Sequence, residues 1–207
     1  WLNFADSFKT LVLEEGITNI GNYAFYNCSG FTGNLVIPNS VTTIGDYAFQ
    51  DCTALTNITV PNGVASIGGS AFRNSAITSI TIPSSVTSIG SKVFYECTSL
   101  CSVVISEGVT TIGNWTFCDC KKLTSVIIPN SITKIGESVF WRCESLTTVI
   151  LPDSLDIIDD GAFMCCYGLK KIKIPDSVTS IGQSAFSCCR NLQSIIIPEN
   201  VSQIGHA

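Results

Sequence analysis

Eleven cysteines among 207 residues are the side chains with the most chemistry to offer. Thiolates bind soft metals, attack electrophiles and pair as disulfides, so their spacing is the first thing to weigh. Seven of them (Cys28, Cys52, Cys97, Cys120, Cys143, Cys166 and Cys189) stand three residues after a phenylalanine, and from Cys97 onward they recur every 23 residues. A structural zinc site wants closely spaced cysteines converging on one point. A fixed period instead spreads thiols along a line, and buried cysteine behaves as a small hydrophobe. The column is expected to be a packing ladder of free thiols, because stacked strands about 4.8 Å apart hold Cβ atoms beyond the ~3.5–4.5 Å of a disulfide. Cys101, Cys118, Cys165 and Cys188 lie outside it. Cys165 and Cys188 share a second column in adjacent units, so a disulfide between them stays open. No metal and no cofactor are expected.

Other reactive constellations are scarce. The sole histidine, His206, lies at the end of the chain, so no Ser–His or Cys–His pair with a fixed base is available. Asp159 and Asp160 are adjacent carboxylates at a turn, where a solvated role is the simpler reading. Glycines recur once per unit as turn residues and form no phosphate loop. N-x-S/T sequons occur at Asn27, Asn57, Asn114 and Asn200, and whether they carry glycans is left open. A net charge of −5 disfavours nucleic acid, which needs a basic face. No apolar run approaches the roughly 18 residues that span a bilayer.

The elements that position these residues follow from the period. Phe94, Phe117, Phe140, Phe163 and Phe186 step by 23 residues, and self-similarity of this kind marks a repeat architecture. Each unit contains L-x-x-I-x-I-P, whose end alternates as a half-buried strand does, with proline closing it. V-T-x-I-G reads as a second short extended piece turned by glycine. A-F-x-x-C is too short for more than a helical turn. One strand per unit must add to its neighbour's, so the sheet is parallel. An extra residue falls between Cys28 and Leu35. The third unit loses one, with Ser75 in the cysteine column, while Ser106 replaces proline and Asp159 replaces glycine. The repeat is already under way at the first residues, with Leu2 to Leu13 as the tail of a first unit, Phe8 in the leucine column and Leu11 and Leu13 in the strand. Trp1 is no natural start, and without visible caps residues 1–207 read as a single array of about eight repeats from a longer protein.

These motifs resemble the leucine-rich repeat of the BspA-like, or Treponema pallidum, type, with its unit of about 23 residues and its L-x-x-I-x-I-P, I-G-x-x-A-F and Cys signatures. The resemblance implies a leucine-rich repeat solenoid, mostly β, with short turns or single helical turns on the convex side and the strands lining the concave side. It also implies surface proteins of host-associated bacteria and protozoan parasites, several of them adhesins for host proteins, and brings no catalytic residues.

Two surfaces are candidates for binding. Between the inward positions of the strand stand Val36, Thr59, Thr81, Val104, Ile127, Ile150, Lys173 and Ile196. An exposed β-branched stripe of this length marks a contact surface, unless it only reflects strand preference. The second is the column after phenylalanine, with Tyr95, Cys118, Trp141 and Met164 in successive units and Trp115 nearby; aromatics and methionine are enriched in interface cores. The expected function is a non-enzymatic cell-surface or secreted recognition module that adheres to a host or matrix protein. An intracellular, cytoplasmic scaffold or a structural spacer is the alternative, since many reduced thiols suit a reducing compartment.

Overall fold

The computed structural model describes Ser7 and residues 9–206. The expectations for Trp1, Leu2 and Phe8 lie outside the described residues. Each unit forms one coil, and the coils stack in sequence order through two lines of parallel strands, one divided into sheets of six and two strands and the other into sheets of five and four.

The long ladder comes from the I-x-I end of the leucine motif. Its strands are Gly33–Val36, Leu55–Thr59, Ser79–Ile82, Ser102–Ile105, Ser125–Ile127, Thr148–Ile150, Lys171–Lys173 and Ser194–Ile196. Alternation is strict in Ser79–Ile82 and Ser102–Ile105, where Ile80, Ile82, Val103 and Ile105 are buried and the residues between them exposed. Like residues lie in register, Thr81 beside Val104 and Ile127 beside Ile150. The extra residue before Leu35 appears as a register shift between Gly33 and Asn34, so a bulge absorbs the insertion without flipping the faces. Where proline is missing, at Glu14 and Ser106, the turn closes through Gly16 and Gly108 at φ 103° and 107°, a conformation open to glycine alone without strain.

The V-T-x-I-G segment makes a second ladder of two-residue strands, from Asn19–Ile20 to Gln203–Ile204. Its isoleucines are buried from Ile20 to Ile181, while Ile204 is exposed. Most glycines after these isoleucines are crowded by the preceding coil: a Cβ at Gly113 would stand 2.4 Å from the Ser91 nitrogen, whereas Gly21, after the first of these strands, has open space.

The A-F-x-x-C segment is not helical. In each coil the residue before this segment and the fourth residue within it adopt left-handed backbone, for example Trp115 (φ 64°) and Asp119 (φ 58°), or Tyr47 and Asp51. Alternate N–H groups then point out of the coil: Trp115, Phe117 and Asp119 donate to the carbonyls of Glu137, Val139 and Trp141. The intervening Cys118 and Cys120 donate three residues back, to Trp115 and Phe117. A left-handed residue costs roughly 1–2 kcal/mol, and the gain is an inter-coil bond for each buried donor that would otherwise have none. Gly161 fills this position in its own coil at φ 60°.

The core runs the length of the stack. Rings from Phe25 to Phe186 lie nearly parallel, with centroids 5.2–5.7 Å apart. Phe94, Phe117, Phe140 and Phe163 are fully buried, flanked by the leucine, isoleucine and cysteine columns.

Candidate protein-binding face

All eight residues of the strand stripe point away from the core and are exposed. Val104, Ile127 and Ile150, on successive strands, keep 52%, 62% and 51% of their surface in contact with solvent, which is unusual for large aliphatics side by side. Register pairs Val36 with Thr59, Thr81 with Val104, Ile127 with Ile150 and Lys173 with Ile196, so the stripe is contiguous within each pair. Val12, exposed between Leu11 and Leu13, continues the pattern into the first described coil. Its L-V-L setting carried the same signal as the later units.

Sequence reasoning missed the companion row. Two residues before each stripe member stand Asn34, Asn57, Ser79, Ser102, Ser125, Thr148, Lys171 and Ser194, all exposed on the same face. Period-two geometry puts both rows side by side, so aliphatic groups lie next to hydroxyls and amides. Neither row contains Asp or Glu, although the chain has 16 acids against 11 Lys and Arg. A hollow of about 380 Å³ is lined by Asn57, Thr59, Ser79, Thr81 and Val104, and one of about 510 Å³ by Ile127, Ile150, Lys173, Asn130, Glu107 and Asp153.

The second surface is built differently. Tyr95, Trp115, Trp141 and Met164 are half-buried, and Cys118 of the same column is wholly buried. Trp115 and Trp141 meet edge to face at 5.2 Å. Arg73 lies over the Tyr95 ring and Lys92 over Trp115. Charges on this side are matched: Arg73 with Glu96 at 3.1 Å, and Arg142 and Lys121 with Asp119 at 3.4 and 3.9 Å. Asp159, in the place of a glycine, pairs with Lys134 at 2.8 Å.

The cysteine column is buried and its thiols are free. From Cys52 onward they are also donors, Cys52 to the Phe25 carbonyl at 3.2 Å. Cys97, Cys120, Cys143, Cys166 and Cys189 aim Sγ at the carbonyl of Phe72, Phe94, Phe117, Phe140 and Phe163, one coil back, at 3.1–3.2 Å. Spacing alone could not show this bond. Burial pushes the thiols up, Cys97 and Cys189 to about 11 and Cys52 to about 12, so the thiolates that metal binding or nucleophilic attack requires are suppressed. Cys118 is raised as well, by burial and then by the charge of Asp119. Cys101 and Cys188 are exposed, Cys165 is half-buried, and Cys165 and Cys188 are both free. Among the described residues no group of three or more His, Cys, Asp or Glu is placed to hold a metal ion.

Asn27, Asn57, Asn114 and Asn200 are exposed. Asn57 sits in the companion row of the strand face. Asn114 accepts the Glu137 N–H, and Asn200 donates to the Asp176 carbonyl. No helix among the described residues is long and apolar enough to cross a membrane.

Coils of about 23 residues, each adding a strand to a parallel ladder around a continuous Phe–Leu–Ile core, define a β-solenoid of the leucine-rich repeat class. The family model for the BspA type leucine rich repeat region matches residues 18–147 and 87–207, and the chain belongs to that family. Among solved structures, a leucine-rich repeat protein from Bacteroides ovatus is 31% identical, with TM-score 0.82, over 96% of this chain and 57% of its own. The chain thus spans little more than half that protein's length. A leucine-rich repeat protein of Treponema pallidum is 33% identical, with TM-score 0.72, over 77% of this chain and 76% of its own. A leucine rich cell surface protein from Faecalibacterium prausnitzii is 25% identical, with TM-score 0.54, over 98% and 74%. A search of curated protein sequences returned no match.

Proposed function

We propose that this chain is a non-enzymatic protein-recognition module whose long-strand face docks a host or matrix protein at the cell surface. One observation carries the reading: the exposed aliphatics Val104, Ile127 and Ile150 stand on successive strands beside a row of hydroxyls and amides. Exposed apolar patches of this kind mark interaction sites, and such a row offers the polar rim that interfaces use. Leucine-rich repeat proteins generally bind proteins, and no enzymatic family matches the chain. The cell-surface assignment draws support from the Faecalibacterium prausnitzii relative, described as a leucine rich cell surface protein. Nucleic acid is disfavoured by the charge of −5.

The test is adhesion to a panel of immobilised extracellular-matrix proteins, comparing the wild-type chain with Ile127→Asp/Ile150→Asp. The reading predicts loss of binding with unchanged circular dichroism. Binding that survives the double substitution removes the stripe as the site.

The eleven free thiols favour a second reading, an intracellular scaffold or spacer, because reduced cysteines persist where glutathione and thioredoxin act. Thiol counting on unreduced protein from its native source separates the two. Full reactivity after unfolding fits a reducing compartment or an anaerobe's surface, and missing thiols fit an oxidising one.

A further inference from the structure

We infer that Lys171 and Lys173 form a carboxylate-binding subsite on the strand face. That face would then take an extended protein segment carrying Asp or Glu beside an aliphatic or aromatic side chain. The inference rests on the strand face being the docking surface and names the partner's chemistry.

The two lysines occupy both exposed positions of the strand Lys171–Lys173. They share one face at a separation of roughly 6.6 Å along the chain, close enough for two flexible ammonium groups to converge on one carboxylate. Lys92 and Arg190 lie over aromatic rings, and of the lysines without an ion pair among the described residues only Lys171 and Lys173 stand in the exposed rows of the strand face. Arg73, Lys121, Lys134 and Arg142 all lie against acids. Among the described residues neither Lys171 nor Lys173 has an ion-pair partner. An acidic molecule has therefore kept carboxylates out of both exposed rows of this face and left two unmatched cations on it.

Lys173 also lines the 510 Å³ hollow with Ile127 and Ile150, and both lysines line an adjoining hollow of about 340 Å³ with Thr147 and Thr148. Cationic heads and aliphatic walls thus border the same depressions. A partner residue pair of one acid and one apolar side chain satisfies both at once. A polyanion such as a sulfated glycan fits less well. It would meet only two cations here, and Glu107 and Asp153 stand in the wall of the larger hollow and repel further negative charge.

The experiment pans random dodecapeptides displayed on phage against the immobilised whole chain. Enriched peptides are then synthesised and titrated by fluorescence anisotropy against wild type, Lys171→Glu/Lys173→Glu and Ile127→Asp/Ile150→Asp. Enriched peptides should carry Asp or Glu next to Ile, Val, Phe or Tyr. The lysine reversal should weaken their Kd at least about tenfold, and a peptide with Lys in place of its acid should bind the reversed variant better than wild type. The wild-type preference should shrink as salt rises. Peptides that lose binding in the isoleucine variant but ignore the lysine reversal overturn the carboxylate subsite and leave the face intact. Peptides indifferent to both variants overturn the face itself. Failure to enrich any peptide, or lysine-dependent binding of a heparin decasaccharide in place of peptides, also overturns the proposal.

Discussion

Raising the pH above about 9 should destabilise this chain more steeply than its exposed groups can account for. Cys97, Cys120, Cys143 and Cys166 are completely buried, and burial holds each thiol above its ordinary value, Cys97 at about 11. A thiol in an unfolded chain ionises near about 8.5. Between these limits the folded state keeps protons that the unfolded state has released. Stability is therefore full below the unfolded value and is lost as pH climbs toward the folded one. Each such thiol removes about 1.4 kcal/mol per pH unit in that window, and the four together about 5 kcal/mol. Urea unfolding followed by the fluorescence of Trp115 and Trp141, in degassed buffer with reductant and chelator, measures the profile. Cys143→Ala is the internal control. It should lose about 2 kcal/mol at neutral pH, because it empties a packed site and removes the bond to the Phe117 carbonyl. Its stability should nevertheless fall less steeply above about pH 9, by about 1.4 kcal/mol per unit. Parallel profiles for the two proteins in that range would refute the reading of this column as a ladder of protonated thiols.

Gly113→Ala drives a methyl to within 2.4 Å of the Ser91 nitrogen and should cost more than about 3 kcal/mol by thermal or urea unfolding. Gly21→Ala, with nothing within 4 Å of the new atom, should stay within about 1 kcal/mol of wild type. In the native state Ellman's reagent should react quickly with Cys101 and Cys188, more slowly with Cys165, and with the buried cysteines only on unfolding. A fast phase extending to the Phe-linked column would contradict its burial. Ile127→Asp/Ile150→Asp should lower stability by about 2 kcal/mol without unfolding the chain, because each exchange gives up strand preference at an exposed position and the two carboxylates stand in register.

Much of the stack was legible because a period constrains every unit at once. Phe94 to Phe186 had to superpose if the chain was one spiral, and their rings stack. The bulge at Gly33 was legible as a surplus residue, and the inward pointing of Leu35, Ile80 and Val103 followed from alternation. The turns around phenylalanine were not legible. Left-handed backbone is there forced on Tyr47, Lys92, Trp115 and Arg142, residues with no preference for it, because the hydrogen-bond needs of the neighbouring coil override local propensity. A helical turn was the natural local guess, and the inter-coil ladder replaced it. The thiol-to-carbonyl bonds were hidden for the same reason, since they join residues one coil apart. On the strand face the β-branched stripe stood out by residue type. Its partner row did not, because Ser and Asn read as ordinary turn residues until the register puts them beside Ile127 and Ile150.

The central claim, that partners dock on the strand face, is tested most directly by methyl NMR on the whole chain with labelled isoleucine δ and methionine ε methyls. The single methionine, Met164, reports from the aromatic side, and Ile127 and Ile150 report from the strand face. Titration with a bound peptide or matrix protein should shift or broaden the Ile127 and Ile150 signals and leave Met164 in place. Shifts centred on Met164, with Ile127 and Ile150 unmoved, would place the binding site on the opposite side of the coil and contradict the account.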